Sequence, residues 1–173
     1  MTPPRPQNIA DVPGRELVTA SGERLSLARS LSGPFGLRGL LVHHEVLLPG
    51  RRASGLHFHS RKEEVFYVLA GQPSVWTGAE FVDLVPGDFI GFPPSPDAPH
   101  LLVNCLDAPA TILTIGTCPR TTRSPFCRCR SVAESHFLAL RKKPVHALEY
   151  VRRVWARLLP SCLKLPASPA TTT

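Results

Sequence analysis

Apolar and polar residues alternate with a period of two through most of the first two thirds of the chain. Between residues 38 and 48, Leu40, Val42, His44, Val46 and Leu48 fall on one face, and Leu41, His43, Glu45 and Leu47 on the other. Successive side chains of a strand point to opposite faces, so this pattern predicts a strand, ended by Pro49-Gly50. A second run begins at Glu64, with Phe66 and Val68 on its face and Val65, Tyr67 and Leu69 opposed, and it ends at Gly71. Thr77-Gly-Ala-Glu80 reads as a hairpin turn between Val75-Trp76 and Phe81-Val82, and Pro86-Gly87-Asp88 as another turn. Phe89–Phe92, His100–Asn104 and Ala110–Gly116 complete the series, with His100, Leu102 and Asn104 sharing a face. Many short strands at near-regular spacing predict an all-β sandwich or barrel.

Two flanking segments behave differently. Residues 1–34 are punctuated by Pro and Gly; Asn8–Val12, Leu17–Ala20 and the weak alternation of Gly22–Ala28 predict peripheral strands at most. After Thr117 the period of two disappears. Residues 119–173 form a basic tail in which Val145, Leu148, Val151, Trp155 and Leu158 recur at helical spacing behind Pro144. That predicts a helix over 144–159, followed by a Pro/Ala/Thr end expected to be disordered.

A length of 173 residues suits one domain with a real core. The net charge of +7 is unevenly placed. Up to residue 118 there are nine Lys/Arg against eleven Asp/Glu, and beyond it eleven against two. The basic character therefore belongs to the tail, and a nucleic-acid function for the strand-rich part is not expected. The tail itself lacks an aromatic stacking platform or a helix-turn-helix pattern, which argues against it as well. A basic amphipathic helix at 144–159 is also the kind that rests on anionic membranes, but its short polar face favours a helix packed on the barrel or semi-ordered in solution. No apolar run approaches the ~20 residues that span a bilayer, and Met1-Thr-Pro-Pro-Arg-Pro is not followed by a signal-type apolar region. A cytoplasmic protein is expected, with its five cysteines as reduced thiols.

The chemistry concentrates at His57-Phe-His59-Ser-Arg-Lys-Glu-Glu64. In an extended backbone His57 and His59 point the same way, Ser60–Lys62 reads as a turn, and Glu64 returns beside the histidines if the flanking strands pair. Two imidazoles and a carboxylate make a divalent-metal ligand set with open positions. His44 could also line the cavity, but a lone histidine on an apolar face is more often a hydrogen-bonded core residue. Cys118, Cys127 and Cys129 have no fourth ligand at a zinc-site spacing.

The segment resembles the cupin superfamily. Gly50, His57, His59, Glu64 and Gly71 fill the first cupin motif, with one extra residue after Gly50; Gly87, Pro93, His100 and Asn104 fill the second. The stretch Pro94–Pro99 is two residues longer than the commonest form and lacks its glycine. The resemblance covers residues 35–116 and implies a single jelly-roll β-barrel over 35–118. It also implies a metal held by His57, His59, Glu64 and His100. Only Glu64 leaves the motif's six-residue gap to Gly71, so Glu63 is expected to face solvent. Iron, manganese, zinc and nickel all suit such a set. The resemblance further implies a small polar substrate or ligand, either turned over or merely bound or sensed, and allows a homodimer through the leading strands. No acid/base pair beyond the ligands stands out in the sequence.

Overall fold

The structure is a computed structural model that describes residues 3–20 and 22–118. The predicted helix at 144–159 and the rest of the tail lie outside those residues. Among the described residues the chain forms β1 (Arg15–Val18), β2 (Arg24–Ser30), β3 (Leu40–Leu47), β4 (Glu64–Ala70), β5 (Ser74–Trp76), β6 (Phe81–Asp83), β7 (Phe89–Phe92), β8 (Leu101–Val103) and β9 (Ala110–Thr117). Two short 3-10 turns, Ile9–Asp11 and Gly33–Phe35, complete it. The first replaces the extended segment expected at Asn8–Val12, because the Asn8 side chain accepts from the Ala10 amide and turns the chain.

The strands make an antiparallel six-stranded sheet, ordered β1-β2-β3-β9-β4-β7, and a three-stranded one, ordered β6-β5-β8. Leu47, Val68 and Ile112 of the large sheet meet Val75 and Leu102 of the small one, all fully buried. The two inner faces thus close on each other as an all-β jelly-roll barrel. The alternation read from the sequence is the alternation observed: in β9, Ala110, Ile112, Thr114 and Gly116 are buried, and their neighbours are half-buried. In β3 the inward face carries Leu41, His43, Glu45 and Leu47, since Glu45 and Leu47 are the buried positions.

One residue from each motif holds the frame together. The fully buried Asn104 side chain donates to the Leu47 and Ala108 carbonyls (2.9 and 2.8 Å) and accepts from the Leu106 amide (3.1 Å). It fastens the end of β8 to the end of β3 and to the loop entering β9. Gly71 turns out of β4 at φ +77°, where a Cβ would lie 2.7 Å from both the Ala110 Cα and the Pro109 carbonyl oxygen. Cys118 is disulfide-bonded rather than reduced. No helix among the described residues is long and apolar enough to cross a membrane.

Candidate metal centre

Four side chains from three parts of the chain converge inside the barrel. Glu64 opens β4 and is inward-facing and buried. His100 precedes β8, is fully buried, and stacks on Phe92 of β7 with ring centroids 4.0 Å apart. His57 and His59 lie outside any named strand. The expected pairing of their segment with β4 does not form: β4 is flanked by β7 and β9, and His57 instead makes an isolated antiparallel bridge to His100. That bridge (His100 amide to His57 carbonyl, 2.8 Å) brings the first motif's histidines over the second's.

One ligand-type atom from each of His57, His59, Glu64 and His100 lies within 4.8 Å of all the others. Glu64 Oε2 is 3.0 Å from His100 Nε2, 3.2 Å from His59 Nε2 and 3.8 Å from His57 Nε2, and the His57 and His59 Nε2 atoms are 3.2 Å apart. Ligands about 2.1 Å from a central ion sit about 3.0 Å apart at octahedral angles and about 3.4 Å apart at tetrahedral ones. The observed separations fall in and around that range. The outer ring nitrogens support the same reading. His57 Nδ1 donates to the Gly55 carbonyl at 2.8 Å and His100 Nδ1 to the Ala98 carbonyl at 3.0 Å. With the Nδ1 atoms of His57 and His100 bonded outward, the Nε2 atoms face one another and a carboxylate, each able to donate a proton toward Glu64 in the metal-free protein or a lone pair to a cation.

Electrostatics agree. Burial, followed by the charge of His100, lowers the His57 pKa to about 4, so its ring is neutral and ready to ligate at pH 7. Burial alone would raise the Glu64 carboxyl, but hydrogen bonds from His100 and His59 and the Lys62 ammonium outweigh it. Glu64 is thereby held below the ordinary carboxylate range. Lys62 pairs with Oε1, leaving Oε2 to the histidines. Glu63 is exposed, as expected.

His44 lies on the outer face of β3, where Nδ1 is buried without a hydrogen-bond partner, so it does not line the cavity. The interior residue that the sequence left unmarked is its neighbour His43, which faces inward. The buried Glu45 two positions on marks that parity, but the alternation alone does not say which face is the core.

Residues 43–116 match the family model described as a cupin domain. The chain belongs to the cupin superfamily. Among solved cupin structures, it is similar to a sugar phosphate isomerase from Silicibacter pomeroyi. The two share 28% identity over 65% of this chain and 75% of that one, with a TM-score of 0.60. A protein from Acidithiobacillus ferrooxidans, provisionally described as a sugar phosphate isomerase, is 29% identical over 63% of this chain and 70% of that one, TM-score 0.58. The polyketide cyclase RemF from Streptomyces resistomycificus shares the fold at 22% identity, over 68% of this chain and 82% of that one, TM-score 0.56. No curated protein matches the chain. Cupins commonly bind divalent metals, and the group of three histidines and one glutamate in this cupin is one that could hold such an ion.

Proposed function

We propose that the protein binds one divalent metal ion through His57, His59, Glu64 and His100 and uses it to hold a small hydroxylated carbonyl compound. The observation that carries this reading is the convergence of four ligand-type atoms within 4.8 Å on a largely buried site. Three histidines and one carboxylate leave two positions of an octahedron for a substrate. A divalent ion there would polarise a carbonyl oxygen as a Lewis acid. The chain's own part is to orient the rings through the Gly55 and Ala98 carbonyls and to keep Glu64 ionised.

The two structural relatives described as sugar phosphate isomerases, at 28 and 29% identity, favour proton transfer within a hydroxy-carbonyl compound as the reaction class. The phosphate in that description is not carried over. Arg51 is paired with Glu16, Arg52 with Glu23 and Lys62 with Glu64, so these three cations are already committed. Reversible binding of the same compounds without turnover is the second reading, favoured by the lack, among the described residues, of a conspicuous acid/base pair beside the ligands.

Metal content measured on protein prepared without chelator or metal-affinity steps tests the proposal. One ion per chain is expected in the wild type and none in His57→Ala/His59→Ala. A wild type that stays empty after reconstitution would overturn it.

A further inference from the structure

The inner face of the large sheet is laid out in rows across its strands. Glu64 stands opposite Gly116, and Gly116 opposite Leu41. The next inward row is Phe66, Thr114, His43 and Ser30, and the one after is Val68, Ile112, Glu45 and Ala28. The third row is satisfied: Val68 and Ile112 belong to the apolar core, and Ser26 Oγ donates to the Glu45 carboxylate at 2.5 Å. The second row is not. Thr114 is nine-tenths buried, and its Oγ1 has no hydrogen-bond partner. His43, directly paired with it on β3, is half-buried, and Ser30 follows on β2. Buried hydroxyls without partners are rare in native proteins because each forfeits its bonds to water. This one lies on the inward face that also carries Glu64, two residues along β9 from Gly116, the residue opposite it.

We propose that Thr114 and His43 form a hydroxyl-binding subsite that selects carbonyl compounds carrying further hydroxyls beyond the pair of oxygens at the metal. The subsite rests on the metal reading above and adds the identity of the ligand's far end. Strand spacing of about 4.8 Å and a rise of about 3.4 Å per residue put the Thr114 Cα about 8 Å from that of Glu64, and the His43 Cα about 12 Å away. All three side chains point into the same interior, so the gap suits a short carbon chain. A threonine hydroxyl donates and accepts, and an imidazole ring beside it adds two hydrogen-bonding nitrogens. That pair offers a ligand hydroxyl both a donor and an acceptor.

The test uses the full chain loaded with Mn(II), titrated calorimetrically with hydroxyacetone and with erythrulose. The two probes share a carbonyl and an adjacent hydroxyl, and only erythrulose carries more. Wild type is expected to bind erythrulose about three- to tenfold more tightly than hydroxyacetone, the range of one net hydrogen bond. Thr114→Val and His43→Leu remove that preference and leave hydroxyacetone binding unchanged, while His43→Gln restores part of it. Thr114→Val also raises the melting temperature of the metal-free protein, because it replaces an unsatisfied hydroxyl with a methyl group of the same shape. Equal binding of the two probes by manganese-loaded wild type overturns the subsite alone. A preference that survives both Thr114→Val and His43→Leu does the same, as does a Thr114→Val protein that melts lower and keeps the preference. A wild type that takes up no manganese overturns the metal reading and the subsite with it.

Discussion

The two oxygens of Glu64 have different tasks, and one lysine keeps them apart. Oε2 faces three imidazoles while Lys62 Nζ engages Oε1. Lys62 reaches that position across Gly116, where a Cβ would lie 2.2 Å from its Cε and 3.2 Å from the Glu63 carbonyl oxygen. A side chain there would displace the flexible end of the lysine. Partners that orient a ligand typically account for about 10- to 100-fold in metal affinity. Lys62→Met is therefore expected to weaken metal binding about tenfold, measured by competition against a chromogenic chelator. Gly116→Ala should act in the same direction by pushing the lysine off Glu64. Tighter binding in Lys62→Met would show instead that the ammonium's repulsion of the ion outweighs its hold on the carboxylate. Neither role was visible in the sequence. Ser60–Lys62 reads as a polar turn, and no pattern says that a turn residue folds its head back into the barrel.

At the scale of elements, the strands with clean alternation were legible almost to the residue. Phe89–Phe92 has the predicted bounds, the turn at Thr77–Glu80 closes through its backbone (3.0 Å), and β3 and β9 differ from expectation only at their ends. Each of these is a local pattern facing one buried layer. The pairings were not legible, because they are non-local: β9 lies between β3 and β4, and no local pattern in the chain encodes that order. The histidine segment shows the same limit. The i, i+2 spacing correctly put both rings on one side, yet the backbone that aligns them is a bridge to His100, far along the chain. Gly71 is where element and motif meet. A side chain there is strained by its φ of +77° and would press on the Ala110 and Pro109 backbone, which has no flexible end to yield. Gly71→Ala is expected to destabilise the protein by about 2–4 kcal/mol, read from denaturant unfolding. The loss should come with metal affinity per folded molecule unchanged, since the glycine touches none of the four ligands.

For the whole molecule, the buried histidine ties stability to pH. His57 titrates near 4 in the folded protein, against 6.5 ordinarily. Between those values the unfolded chain binds a proton that the native state does not, so folding becomes less favourable as pH falls. The stability involved is complete above about 6.5 and lost by about 4, an amount of up to about 3 kcal/mol. Glu64, lowered below the ordinary carboxylate range, adds a further loss as pH falls below 4.5. A bound ion acts on the same equilibrium from the other side. It binds only the native state with its imidazoles neutral, and at a hundredfold excess over its dissociation constant it contributes about 2.7 kcal/mol. The metal-free protein should therefore melt progressively lower from pH 6.5 to 4.5. Added Mn(II) or Zn(II) should raise the melting temperature by several degrees at pH 7 and by much less at pH 5. Thermal unfolding with and without chelator across that range measures both effects. His57→Asn should flatten the metal-free curve and shrink the metal response together, because one ring is responsible for both. A metal response that keeps its size at pH 5 would mean that the ion binds at groups other than these histidines.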